Sequence, residues 1–160
     1  MHHRAPGPLV AIFENRQVSA QLIADGIHIQ PPVVKFTFDI LGPGRIVLIT
    51  DGMQAMGLPE GKYVYNGVEY ESKGGTGRYK DGTLIGTALG LSELVSGFVQ
   101  LTGCTLEAAV KTVTENPAKL LGIYDRKGSI TVGKDADLVL LEKDCSVHAT
   151  IVGGKVVFQK

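Results

Sequence analysis

The feature that most constrains the fold is an unbroken apolar run, IVLIT within RIVLIT (45–50), which leads directly into Asp51. A run without polar alternation is typical of a strand buried on both faces, as in parallel sheets. A shorter strand pattern, AQLIADGIH (20–28), lies upstream, and PPVVKFTFDILG (31–42) between the two has the initial Pro and final Gly that helices favour. We therefore predict a βαβ unit whose strands are parallel neighbours joined by a right-handed crossover.

The remaining sequence predicts an α/β chain that ends in a small set of strands. An Asn-Gly dipeptide between two segments rich in strand-forming residues indicates a hairpin, and apolar residues at helical spacing indicate helices. The predicted elements are a hairpin turn at Asn66-Gly67, helices over 87–103 and 105–116, a short helix capped by Asn116 with Pro117 at its first position and Gly122 at its close, and strands within 128–159.

Charge and cysteine content exclude several classes of function. The chain has 16 basic and 16 acidic residues, so bulk charge favours neither nucleic acid nor a membrane surface. No apolar run reaches the length of a transmembrane helix, and the first residues lack the apolar segment of a signal peptide. Cys104 and Cys145 lack the CxxC spacing of metal or redox sites. We expect a cytoplasmic protein with two free thiols.

Polar residues that follow the two predicted strands are the candidate site. Asp25 and His28 follow the first strand, and Asp51 follows the second. In α/β proteins, functional side chains gather beyond the carboxyl ends of parallel strands, so we expect Asp51 and His28 to face the same open side. Each also has a plain structural interpretation. Either Asp can cap the next turn, and His28 can be a structural histidine whose hydrogen bonds are made within the protein. A further candidate, Arg4 near the start of the chain, can be a solvated charge.

The order of motifs resembles the C-terminal part of the N-acetylglucosamine-6-phosphate deacetylases, a family of the metal-dependent amidohydrolase superfamily. The motifs are HRAPG, LIADGIH, LITDGM, DGTLIGTAL, TENPAKLLGI, GSITVGKDADLVLL and TIVGGKVV. The resemblance implies that residues 1–127 form the C-terminal part of a (β/α)8 barrel, including its strands seven and eight. It implies that residues 128–160 supply strands to a small β-sandwich.

The same resemblance implies metal-dependent hydrolysis of a linear amide, which converts N-acetylglucosamine 6-phosphate to glucosamine 6-phosphate and acetate. Asp51 matches the catalytic Asp, which takes a proton from metal-bound water and gives it to the leaving amine. His28 matches a substrate-binding His. Arg4 matches an Arg that binds the sugar phosphate, often across a dimer interface.

The metal implied by the resemblance is zinc or iron, held by a Glu and two His that precede the matching segment. No metal ligand is therefore assigned within the 160 residues, and we expect the chain alone to be inactive. Two alternatives stay open: an inactive fragment or sugar-phosphate-binding module, and an amidohydrolase with another amide substrate. HRAPG and IADGIH favour the deacetylase. The expected partners are an amino-sugar phosphate and a second copy of the chain.

Overall fold

The computed structural model describes residues 2–160, in which the strands form three separate sheets of two, four and three strands. The parallel pair comes first, and both larger sheets are antiparallel. The elements are α1 Pro8–Glu14, β1 Ala20–Leu22, α2 Pro31–Leu41, β2 Ile46–Leu48, β3 Gly61–Tyr65, β4 Val68–Lys73, β5 Thr76–Tyr79, β6 Leu84–Thr87, α3 Leu91–Thr102, α4 Leu106–Lys111, α5 Glu115–Leu120, β7 Leu138–Leu141, β8 Val147–Val152 and β9 Lys155–Gln159.

The βαβ unit predicted from the apolar run is present. Strands β1 and β2 pair in parallel, with Leu22 opposite Leu48, and α2 connects them. Helix α2 begins at Pro31, whose missing N–H costs nothing at a helix start, and ends at Leu41, followed by the C-cap Gly42 with a φ of 66°. Parallel pairing and the crossover helix are confirmed, and the right-handedness of the crossover stays a prediction.

The main core lies between the parallel strands and helices α2, α3 and α4. The ring of Phe98 is completely buried and meets the ring of Phe38 edge to face, with centroids 5.6 Å apart. Complete burial of a large aromatic side chain contributes about 1.5–3 kcal/mol through the hydrophobic effect. The buried residues of this core are Leu22, Ala24, Val34, Leu41, Ile46, Leu48, Val95, Phe98 and Ala109.

Helix α3 begins at Leu91, four residues later than the predicted range of 87–103. The prediction was wrong at this end because residues 84–87 form strand β6. Gly90 is the N-cap, and its backbone N–H donates to Glu93 Oε2 at 2.7 Å, which satisfies one of the free donors of the first turn.

The segment predicted as one helix over 105–116 is broken, and the predicted cap at Asn116 is wrong. Helix α4 stops at Lys111, and α5 starts at Glu115 with Thr114 as its N-cap position. Asn116 lies inside α5, and its Nδ2 donates to the carbonyl oxygens of Pro43 at 2.6 Å and Ile46 at 2.7 Å. This side chain therefore ties α5 to the start of β2.

The two antiparallel sheets agree with the predicted β-rich segments. Asn66 and Gly67 both have positive φ, of 52° and 78°, as the tight β3–β4 hairpin turn requires. The glycine-rich stretch 73–77 holds the β4–β5 turn. Strands β7, β8 and β9 form the C-terminal sheet, but residues 128–137, which were also predicted to include strand, contain none.

The sequence predicted no membrane-spanning helix and two free thiols. Across residues 2–160, none of the helices has both the length and the apolar character needed to cross a bilayer. Cys104 and Cys145 are both free thiols.

Candidate functional site at the exits of the parallel strands

Asp51 follows β2 in a backbone conformation that is unusual for a residue with a side chain. Its φ is 50°, in the left-handed region, which costs an ordinary residue on the order of 1 kcal/mol. Just before it, the Ile49 N–H donates to the Leu22 carbonyl at 3.0 Å, so the pairing with β1 continues beyond β2. The Asp51 residue is exposed. The turn therefore places a solvent-facing carboxylate at the end of a buried strand.

Thr87 of β6 fixes the backbone on both sides of Asp51. Its N–H donates to the Asp51 carbonyl at 3.0 Å, and its carbonyl accepts from the Met53 N–H at 3.0 Å. Its hydroxyl donates to the Thr50 carbonyl at 2.9 Å. Thr87 is completely buried, so these hydrogen bonds are shielded from competing water. They explain how the strained turn at Asp51 is maintained.

Gly86 allows β6 to approach this turn. A Cβ at this position would lie 2.3 Å from the Asp51 carbonyl oxygen, far closer than a carbon and an oxygen can approach. In the sequence, DGTLIGT is part of a motif that carries the family resemblance, and the resemblance assigned it no role at the site. Neither Gly86 nor Thr87 indicates, in the sequence alone, that this strand supports the Asp51 turn.

Asp25 and His28 form a second group, at the exit of β1. The Asp25 side chain has no exposed surface, and that of His28 is 14% exposed. Asp25 Oδ1 accepts from the backbone N–H groups of Ile27 at 2.9 Å and His28 at 2.8 Å. Asp25 Oδ2 lies 2.6 Å from His28 Nδ1. The capping role considered for Asp25 is therefore present, together with a contact to the imidazole.

The hydrogen bonds received by Asp25 determine its protonation. Burial by itself raises the pKa of this carboxyl group, but the His28 ring and the backbone N–H groups of Ile27 and His28 outweigh it. The net result is a pKa below the ordinary value of 3.8. Asp25 is therefore a carboxylate near neutral pH, and a carboxylate can only accept hydrogen bonds.

Arg4 lies in an exposed turn near the start of the chain, where the backbone of His2 pairs with that of Ala5. The Arg4 backbone N–H donates to His2 Nδ1 at 3.3 Å. Among residues 2–160, no hydrogen bond or ion pair connects the side chains of Arg4, His28 and Asp51. Asp51 and His28 follow adjacent parallel strands, and Arg4 lies on the separate turn near the start of the chain.

Potential metal ligands do not cluster in the described part of the chain. Within residues 2–160, no three His, Cys, Asp or Glu side chains converge in a way that could hold a metal ion. The carboxylates and imidazoles at the strand exits therefore do not form a metal centre by themselves.

Comparison with known proteins identifies the family. The sequence of residues 45–157 matches the family model of the amidohydrolase family. The chain is 42% identical to the N-acetylglucosamine-6-phosphate deacetylase of Bacillus subtilis over 98% of its length, and spans 40% of that relative. It is 36% identical to a putative N-acetylgalactosamine-6-phosphate deacetylase of Escherichia coli K12, covering 98% of this chain and 93% of that one.

The fold of the chain is also found in a solved structure. The crystal structure of N-acetylglucosamine-6-phosphate deacetylase from Thermotoga maritima superposes with a TM-score of 0.91 at 37% identity. The superposition covers 99% of this chain and 44% of the Thermotoga protein. The matched family model and these relatives establish that the chain belongs to the amidohydrolase family.

Proposed function

We propose that this chain carries the C-terminal portion of an N-acetylglucosamine-6-phosphate deacetylase. The complete enzyme hydrolyses the acetamide of N-acetylglucosamine 6-phosphate and releases glucosamine 6-phosphate and acetate. The observation that carries the proposal is the likeness to the Bacillus subtilis deacetylase, which extends over 98% of the chain rather than over one motif. The alternatives, an inactive fragment or binding module and an amidohydrolase with another amide substrate, are not favoured by these relatives.

One specific relative favours a second candidate substrate, N-acetylgalactosamine 6-phosphate. The Escherichia coli K12 protein named for that sugar spans almost the same length as this chain. The two sugars differ only in the orientation of one hydroxyl group, so the chemistry at the amide is the same. The higher identity to the Bacillus subtilis relative makes the glucosamine derivative the first choice.

The architecture that we propose is the one implied by the family resemblance, and the sheets support it. Strands β1 and β2 correspond to strands seven and eight of a (β/α)8 barrel within residues 1–127, and residues 128–160 contribute to a small β-sandwich. The parallel pair with its crossover helix supports the barrel portion. The separate antiparallel sheet of β7, β8 and β9 supports the sandwich portion.

The proposed roles of the side chains are those implied by the family resemblance, and the chemistry of each side chain is consistent with its role. Asp51 acts as the general base: it takes a proton from the attacking water as the new C–O bond forms. It then returns the proton to the amine nitrogen as the C–N bond breaks. His28 contacts the substrate. Arg4 binds the sugar phosphate, a task that suits the rigid fork of guanidinium donors.

The described residues do not fit the divalent metal, zinc or iron, that the family resemblance implies, since they contain no cluster of ligands. The roles proposed for Asp51, His28 and Arg4 therefore rest on these side chains alone. A further expectation is that the isolated 160-residue chain binds metal weakly and releases no acetate. Stoichiometric metal with steady turnover on added zinc would show that a ligand set within the chain has been missed.

A partner for the chain is supported by the open edge of β1 and by exposed apolar side chains. The β1–β2 sheet has only two strands, so β1 leaves one edge without a partner strand in the described structure, whereas the outer edge of β2 is bonded by the Thr112 carbonyl and the Asn116 amide. Helix α2 exposes Val33, Phe36 and Ile40. We expect dimerisation, or cover by further polypeptide of the complete enzyme. The cytoplasmic location and the absence of nucleic-acid and membrane partners stay predictions.

A chimaera tests the proposed function directly. The matching C-terminal 40% of the Bacillus subtilis deacetylase is replaced by this chain, and acetate release is measured with both acetylated sugar phosphates. We expect turnover of N-acetylglucosamine 6-phosphate, and less with the galactosamine derivative. A folded chimaera with the metal content of the parent enzyme but no acetate release would refute the proposal, since it would show that these residues cannot serve the reaction.

A further inference from the structure

The contact between Asp25 and His28 uses both carboxylate oxygens for different purposes. Oδ1 accepts from two backbone N–H groups and holds the turn that follows β1. Oδ2 is the oxygen that lies 2.6 Å from His28 Nδ1. A turn cap needs only the first of these contacts, and a Ser or Asn side chain could supply it. The second contact therefore requires a separate explanation.

The chemistry of the pair fixes the position of one proton. The Asp25 side chain has no exposed surface and receives hydrogen bonds on both oxygens, and its pKa lies below the ordinary value. As a carboxylate it cannot donate, so His28 Nδ1 must carry the proton that is shared in the short contact. Nε2 is then the ring nitrogen that remains available, and no described residue makes a hydrogen bond to it.

We infer that Asp25 is a positioning residue, which holds His28 in one orientation with Nδ1 protonated and leaves Nε2 to face the substrate. The part of this inference that concerns substrate rests on the proposed function. The part that concerns the imidazole stands on the geometry of the turn alone. The His28 side chain is 14% exposed and the Asp25 side chain is not exposed, so a ligand atom can reach the histidine but not the carboxylate.

The Asp25→Asn variant separates positioning from turn capping. An Asn side chain keeps one oxygen for the backbone N–H groups of Ile27 and His28, because turning the amide around would place its NH2 group against two donors. The NH2 group then faces His28 Nδ1 and donates to it. We therefore expect the imidazole to change to the form with the proton on Nε2.

Nitrogen NMR on the 160-residue chain labelled with ¹⁵N-histidine measures this change, with the His28 signals assigned by their loss in His28→Gln. We expect Nδ1 to be protonated in the neutral imidazole of the wild type and Nε2 to be protonated in Asp25→Asn. The matched control is Asp81→Asn, since Asp81 Oδ1 also caps a turn, at Thr83 N–H, but on an exposed loop without a histidine. The control should leave the His28 signals unchanged. A wild-type ring protonated on Nε2, or a ring unchanged in Asp25→Asn, would overturn the inference.

Kinetics in the chimaera test the substrate part. We expect Asp25→Asn to lower kcat/KM by about 10- to 100-fold at unchanged metal content. In a His28→Gln background the same substitution should have almost no further effect, because the residue that it positions is gone. An equal loss in both backgrounds would indicate a merely structural role and overturn the substrate part. If the wild-type chimaera releases no acetate, the proposed function fails, but the NMR result still decides the role of Asp25.

Discussion

Replacing Gly86 by Ala tests whether β6 holds the Asp51 turn in place. The added Cβ would lie 2.3 Å from the Asp51 carbonyl oxygen, and the closest comfortable carbon–oxygen distance is about 3.3 Å. Strand β6 or the turn must therefore move by about 1 Å. Such a movement weakens the hydrogen bonds of Thr87 to Thr50, Asp51 and Met53. Overpacking costs about 1–3 kcal/mol, and each of the three weakened hydrogen bonds adds up to about 1 kcal/mol, so we expect a loss of about 1–6 kcal/mol.

Urea unfolding followed by circular dichroism measures this loss in the free energy of unfolding. The matched control is Gly44→Ala, because a Cβ there meets no atom within 4 Å and the backbone is not left-handed. The control should be neutral or more stable by about 0.4–1 kcal/mol. The account would be contradicted if the free energy of unfolding of Gly86→Ala lay within about 0.5 kcal/mol of the wild-type value, or if the control lost as much as Gly86→Ala. Either result would mean that the close packing of β6 on the Asp51 turn does not stabilise the fold.

Three further substitutions or conditions test the packing and the electrostatics. Asn116→Leu leaves the carbonyls of Pro43 and Ile46 without their donor, and we expect it to lower the free energy of unfolding by about 2 kcal/mol or more in urea. Phe98→Ala should cost about 3–5 kcal/mol in the same assay, since its ring is completely buried. The pKa of Asp25 is lowered on folding, so its contribution to stability is present above about pH 4 and is lost as the pH falls through the lower folded pKa. Acid titration of unfolding should show a smaller loss of stability below pH 4 in Asp25→Asn, and equal pH dependence would contradict this sign.

The fold of the first half could be predicted where a pattern was local. The apolar run before Asp51 and the Pro–Gly boundaries of α2 were enough to predict two parallel strands and their helix. The start of α3 was predicted four residues too early, because Thr87 at the start of the predicted range is the last residue of β6. The strand conformation of Thr87 is stabilised by its pairing with Thr76 of β5, which the local sequence does not reveal.

For Asn116, too, the local sequence could not predict the contact that the structure shows. Asn before Pro is a common helix start, so the local sequence favoured a cap. The structure instead uses its amide to satisfy two carbonyls around the start of β2, about 70 residues away along the chain. A long-range hydrogen bond of this kind leaves no local signal.

The sequence predicted where Asp51 and His28 lie, but not which residues hold them in place. Asp51 and His28 were found because polar residues directly follow apolar strands. The contact of Asp25 with the His28 ring was compatible with the DGIH spacing, but a turn cap explained that spacing equally well. The role of Thr87 arises from tertiary packing, which only the structure reveals.

The most direct test of the central claim is the turnover of the Asp51→Asn chimaera. With the carboxylate gone, no side chain at this position can take the proton from water, and general acid–base catalysis contributes about 10²- to 10⁴-fold. We therefore predict that kcat for acetate release from N-acetylglucosamine 6-phosphate falls by about 100-fold or more, with metal content unchanged. The matched control is Asp39→Asn, an exposed carboxylate on α2 paired with Lys35, which should keep full turnover. Turnover in Asp51→Asn within about threefold of the parent chimaera would contradict the role of Asp51 as the base.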